Sequence, residues 1–172
     1  VTARIAWAQD ANNSRTIHFD GSASTSSHGT IDFYTWTLAD GGDPFTTTVP
    51  TYSRTYETWG TYNVRLVVTD SGGRSSQVLA VVDVDPFAPV ARFQADTLGR
   101  RRVDFDATRS TADGEIVSAQ WWFGDGKGVE GAWEEVREWQ HRYDETGRYP
   151  VSLVITDQHG QTHGVQRRVV VE

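Results

Sequence analysis

One pattern occurs twice in this chain, in the same order, at a spacing of 85 to 87 residues. The first copy runs through Ile17-His18-Phe19-Asp20, Gly29-Thr30-Ile31, Tyr34-Thr35-Trp36-Thr37-Leu38-Ala39-Asp40-Gly41, Tyr56, Gly60-Thr61-Tyr62, Val64-Arg65-Leu66-Val67-Val68-Thr69-Asp70 and Gly73. The second runs through Val103-Asp104-Phe105-Asp106, Gly114-Glu115-Ile116, Trp121-Trp122-Phe123-Gly124-Asp125-Gly126, Tyr143, Gly147-Arg148-Tyr149, Val151-Ser152-Leu153-Val154-Ile155-Thr156-Asp157 and Gly160. Solenoid repeats have periods of about 20–50 residues, so a repeat of this length is a whole domain. The expectation is two copies of one domain, residues 1–85 and 90–172, joined by residues 86–89.

Within each copy the apolar residues alternate. Tyr62, Val64, Leu66 and Val68 share one face of a strand, with Asn63 and Arg65 opposite. Tyr149, Val151, Leu153 and Ile155 repeat that pattern, as do Tyr34, Trp36 and Leu38, and Ala119, Trp121 and Phe123. A period of two over four to eight residues marks half-buried strands. Turn pairs such as Asp20-Gly21, Gly72-Gly73, Asp113-Gly114 and His159-Gly160 separate them at short intervals. Many short strands with regular turns predict an all-β fold, two tandem immunoglobulin-like β-sandwiches of about seven strands each. Residues 131–139 have slight helical leanings. At that length they are expected as a strand, or an irregular loop followed by a strand. The expected core is Trp36, Tyr62, Leu66, Trp121, Phe123, Tyr149 and Leu153. The pattern Gly-x-Tyr at 60–62 and 147–149 predicts a tyrosine corner, with the hydroxyl returned to upstream backbone.

A domain of about 85 residues buries a modest share of its surface and needs a dense core. The 7 Trp, 7 Phe and 6 Tyr provide it. With no cysteine in the chain, that core must hold without disulfides. The net charge is −7, and both halves contribute. Residues 1–86 carry five basic and nine acidic side chains (−4), and residues 87–172 carry eleven and fourteen (−3). A uniformly acidic pair lacks the footprint of a nucleic-acid or anionic-lipid binder. The one basic spot, Arg100-Arg101-Arg102, is expected as a solvated hairpin turn. No apolar run reaches the roughly 20 residues of a membrane helix, so no membrane insertion is expected. The chain has no Met, including at position 1, and no leader sequence, which predicts a piece of a longer protein. Asp85-Pro86-Phe87-Ala88-Pro89 reads as a short, stiff joint, and hence an elongated monomer.

The combination Gly114-Glu115-Ile116, Trp121-Trp122-Phe123-Gly124-Asp125-Gly126, His141-Arg142-Tyr143, Gly147 through Asp157, and Gly160 resembles the PKD (polycystic kidney disease) domain family. The first copy departs from it, with Leu38-Ala39-Asp40-Gly41 in place of Phe-Gly-Asp-Gly and Arg54-Thr55-Tyr56 in place of His-x-Tyr. The resemblance implies an immunoglobulin-like sandwich, an extracellular or cell-surface setting, and a non-catalytic role within a larger protein. Fold-level analogy does not supply function, so the candidate residues are weighed individually.

Some members of the family bind calcium, which in this chain implies Asp113 and Asp157. Calcium takes six to eight oxygens, so two carboxylates would need carbonyls and water to complete the shell. The competing reading is that both carboxylates close turns. In the first copy His28 stands at the place of Asp113, and no site is expected there. A second candidate is aromatic. Trp122 follows Trp121 on a strand and so faces outward, and Trp133 and Trp139 are expected on the same sheet. Exposed aromatics there would bind a polysaccharide or fibrous-protein surface; packing beneath a loop is the competing reading. No catalytic set stands out. His159 and His163 flank a predicted hairpin close to Asp157 in the manner of a metal or acid–base pair but read as turn histidines, His141 as structural, and the Glu134-Glu135 and Glu138 carboxylates as partners for nearby arginines. Two readings follow: a spacer and adhesion module, or a polysaccharide- or fibrous-protein-binding accessory module.

Overall fold

The computed structural model describes all 172 residues, and its contacts divide it into two units, Val1–Pro86 and Phe87–Glu172. The first holds β1 (Ala6–Gln9), β2 (Thr16–Asp20), β3 (Ile31–Thr37), β4 (Phe45–Thr47), β5 (Thr51–Thr55), β6 (Gly60–Asp70) and β7 (Ser75–Val84). They form a three-stranded sheet in the order β1-β2-β5 and a four-stranded sheet in the order β4-β3-β6-β7, with every named pairing antiparallel. The second unit holds β8 (Gln94–Gly99), β9 (Arg102–Asp106), β10 (Ile116–Trp122), β11 (Gly128–Ala132), α1 (Trp133–Val136), β12 (Glu138–Arg142), β13 (Gly147–Asp157) and β14 (Thr162–Val171). Its sheets, β8-β9-β12 and β11-β10-β13-β14, repeat the same topology. The ladders also break at the same place, between Ile31 and Phe33 in one unit and between Ile116 and Ser118 in the other.

Alternation along the strands decides which side chains meet between the sheets. In β6, Val64, Leu66, Val68 and Asp70 are buried and the residues between them are not. In β13, Val151, Leu153, Ile155 and Asp157 do the same. Each core closes around a fully buried indole. Trp36 packs on Phe19 at 5.7 Å between ring centres, and Trp121 on Phe93 and Phe105 at 5.2 and 5.4 Å. Each buried aromatic removes roughly 150–250 Å² from water. Leu66, Phe123 and Leu153 lie in these cores as well.

Two expectations need correcting. Tyr62 and Tyr149 are half-buried against the core rather than inside it. Their hydroxyls donate to the carbonyls of Thr58 and Glu145, at 2.7 and 3.0 Å, four residues upstream. The corner geometry is therefore present, at the rim. The fully buried tyrosines are Tyr56 and Tyr143, which donate across the sandwich to the carbonyls of Leu38 and Phe123. The second correction concerns residues 131–139, where one turn of helix, Trp133–Val136, separates β11 from β12. No side chain caps it. It holds because Val136 is buried in the core and its carbonyl accepts the Trp121 indole N–H at 2.9 Å. This tertiary anchor outweighs the instability of so short a helix.

Candidate functional site

The three tryptophans expected on one sheet do not share one. Trp122 ends β10 on the outer face of the four-stranded sheet, opposite Ser152 and Gly128, and is 43% exposed. Trp139 lies on β12 in the other sheet, paired with Phe105, at 36% exposure. Trp133 lies on α1 and packs partly buried against the core. Adjacent residues point to opposite faces of a strand, which placed Trp122 outward. Nothing local could show that β10 and β12 belong to different sheets. A single flat platform is therefore absent, and Trp122 is the most exposed indole of the chain.

The two aspartates ending β6 and β13 are both buried and do different things. Asp70 Oδ1 accepts the amide N–H groups of Gly72 and Arg74, each at 2.9 Å. Its Oδ2 accepts the Ser26 hydroxyl at 2.8 Å and the Arg74 guanidinium at 3.2 Å. Four donors favour the charged form. The Arg74 amide contributes most, and the carboxyl is held down to about 2 despite its burial. In the second unit Asp157 Oδ1 likewise accepts two amide N–H groups, from His159 and Gln161, each at 2.9 Å. Its Oδ2 is buried with no hydrogen-bond partner. Gln161 stands where the first unit has Arg74, and Thr111 where it has Ser26. Asp113 accepts the Phe87 amide N–H at 3.1 Å, and its carbonyl accepts from the His159 ring at 3.2 Å. Asp157 thus serves a turn, whereas the Asp113 side chain ties down the Phe87 amide 26 residues upstream. They form no group of three metal-ligating side chains, so a calcium ion there would take most of its six to eight oxygens from carbonyls and water. The Oδ2 of Asp157 is the buried carboxylate oxygen of the pair with unused capacity.

A second matched position lies at the turn after the buried tryptophans. In the first unit Arg54 pairs with Asp40 at 2.6 Å. In the second, His141 pairs with Asp125 at 2.8 Å and stacks on Phe123 at 4.0 Å, nearly parallel. Burial pushes the Asp125 carboxyl up, but the His141 hydrogen bond and the Lys127 amide outweigh it and leave it below the usual range. His141 is structural.

One constellation escaped the sequence. His18 on β2 contacts the Ser53 hydroxyl through Nδ1 at 2.7 Å and the Asp10 carboxylate through Nε2 at 2.9 Å. His18 and Ser53 are cross-strand partners, a relationship set by the β2–β5 register. The chain Asp–His–Ser has the order of a nucleophile relay. It lies on the open face of a sheet, however, and the amides of the central strand β2 are committed to β1 and β5 on either side.

The family model for the PKD domain matches twice, over residues 2–86 and 84–171. The chain belongs to the PKD domain family. These two PKD domains are 28% identical over 159 residues to the dyslexia-associated protein KIAA0319 homolog of Mus musculus, a match covering 83% of this chain and 14% of that protein. They are 32% identical over 91 residues to collagenase ColA of Clostridium perfringens, covering 52% of this chain and 8% of the collagenase. Among solved structures, the PKD1 domain of Vibrio anguillarum Epp is 35% identical, covers 51% of this chain and 98% of that domain, and superposes with a TM-score of 0.46. The chain therefore spans a small part of the length of these curated relatives. The PKD module recurs as an accessory part of larger proteins, a collagenase among them.

Proposed function

We propose that this tandem PKD chain is a non-catalytic spacer and adhesion module of a larger extracellular or cell-surface protein. The observation carrying this reading is the pair of separately sealed cores, each closed around its own indole and each with a complete seven-stranded sandwich. Such units resist extension through ladder hydrogen bonds and apolar burial and need no ligand to do so. The test is single-molecule extension of the chain. Two separate unfolding events of similar contour length are expected; one event spanning the whole chain would sink the reading.

Trp122 motivates a second reading, a polysaccharide- or fibrous-protein-binding accessory module. It is exposed on an outer sheet face, and one relative is a collagenase. Chitin, cellulose and collagen pull-downs with Trp122→Ala test it, and equal capture of both proteins removes it. Calcium in the second domain remains a proposal resting on Asp157 Oδ2, with carbonyls and water supplying most of the shell. No helix of the structure is long and apolar enough to cross a membrane.

A further inference from the structure

At one register position the two domains make opposite choices. In the first, Thr16 on β2 faces Thr55 on β5, and their hydroxyls hydrogen-bond at 2.7 Å. In the second, the same position holds Arg102 on β9 facing Arg142 on β12. Both arginines are exposed, and like charges directly opposite in an antiparallel pair are destabilising. Neither forms an ion pair, and nor does Arg100 beside them. This happens in a domain whose net charge is negative, so acidic partners are plentiful elsewhere.

The turn between β8 and β9 adds to the contrast. Arg100 and Arg101 are both left-handed, with φ of 53° and 62°. A two-residue hairpin turn of this hand favours Asn-Gly, and two arginines there are strained. Arg101 is spent on the fold: its guanidinium donates to the Asp144 carbonyl, and its own carbonyl accepts the Tyr143 amide N–H. Those two bonds lock the β8–β9 turn against the end of β12. Arg100, Arg102 and Arg142 are thereby grouped at one end of the sheet, none of them in an ion pair, with Glu172 beside the turn through its carbonyl, which accepts the Arg101 amide N–H at 3.2 Å.

We propose that this arginine group is a binding site for the acidic substituents of an anionic polysaccharide, sulfate esters or uronate carboxylates. Planar guanidinium forks match both groups with two parallel charge-assisted hydrogen bonds, and an arriving anion relieves the Arg102–Arg142 repulsion. The site is small. Further along the same outer face lie Asp104, opposite Gln140, and Asp106, opposite Glu138. The site uses none of the tryptophans, so neutral-glycan binding through Trp122 stands or falls separately.

The experiment uses the whole chain on immobilised heparin and on immobilised polygalacturonate at low ionic strength, which separates sulfate from carboxylate recognition. Retention on at least one matrix is expected. Arg102→Thr/Arg142→Thr reproduces the threonine pair of the first domain, so it should fold, with an unchanged or higher melting temperature. It is expected to weaken binding about tenfold or more, with a shallower dependence on salt. Arg100→Asn, which suits the left-handed turn, should weaken it less. Arg65→Ser/Arg168→Ser removes the same charge elsewhere and should elute with the parent. The proposal is overturned if the parent is retained on neither matrix, if the double threonine variant elutes with the parent, or if the serine control weakens as much.

Discussion

The indole N–H of Trp121 donates to the carbonyl of Val136 at 2.9 Å, while the corresponding N–H of Trp36 is buried with no partner. The difference is made by α1, which brings a free helical carbonyl to the centre of the second core. The first domain has no helix there. An unsatisfied buried donor costs free energy, so the two tryptophans contribute unequally although both are fully buried. Trp121→Phe strands the Val136 carbonyl and is expected to cost about 1–3 kcal/mol more than Trp36→Phe. Hydrogen exchange read domain by domain in the intact chain measures both. Equal losses would show that the Val136 bond contributes nothing net.

The tyrosines give a graded pair. Tyr143 is fully buried and its hydroxyl donates to the Phe123 carbonyl at 3.1 Å, whereas Tyr149 makes a comparable bond at the solvent-facing rim. Water can replace the second bond but not the first. Tyr143→Phe is expected to cost about 1–2 kcal/mol and Tyr149→Phe about half as much or less, by denaturant melts. The reverse order would locate the structural tyrosine at the corner.

Asp70 makes the first domain acid-sensitive. Its folded carboxyl lies at about 2 against an ordinary 3.8, chiefly because of the Arg74 amide. A lowered folded value means that the unfolded chain takes up the proton first. The stabilisation is therefore complete above about pH 4 and is lost as pH falls through about 2. Asp70→Asn should flatten that part of the stability profile of the first domain. A profile unchanged by the substitution would exclude Asp70 as the titrating group.

Asp157 is expected to accept the cation that the first domain builds in. Gln161→Arg copies Arg74 and places a guanidinium where Oδ2 has no donor, with a gain of about 1 kcal/mol in the second domain. The same substitution competes with calcium for that oxygen. If calcium binds there, its stabilising effect on the parent should vanish in the variant. A calcium-induced rise in melting temperature that persists in Gln161→Arg would put the ion elsewhere.

Much of the architecture was legible because a strand repeats every two residues. The alternation in β6 and β13 names the buried faces, and the doubled order of motifs names two domains. Trp122 could be placed outward on the same ground. Whether Trp122, Trp133 and Trp139 share a surface was not legible, because sheet membership depends on which strands pair across the sandwich. Likewise, Tyr62 alternates in phase with Val64 and Leu66 yet lies where the sheets part, so phase alone overstated its burial.

The amino-acid order by itself determined the number of domains, the strand faces and the identity of the central indoles, since these follow from local periodicity and composition. Only the tertiary structure decided which polar groups meet: His18 with Ser53 and Asp10, Arg102 opposite Arg142, and the Val136 carbonyl on Trp121. Those contacts join residues 8 to 40 positions apart. Their register is set by ladder pairing and by how an uncapped helical turn packs, and both are properties of the folded chain as a whole.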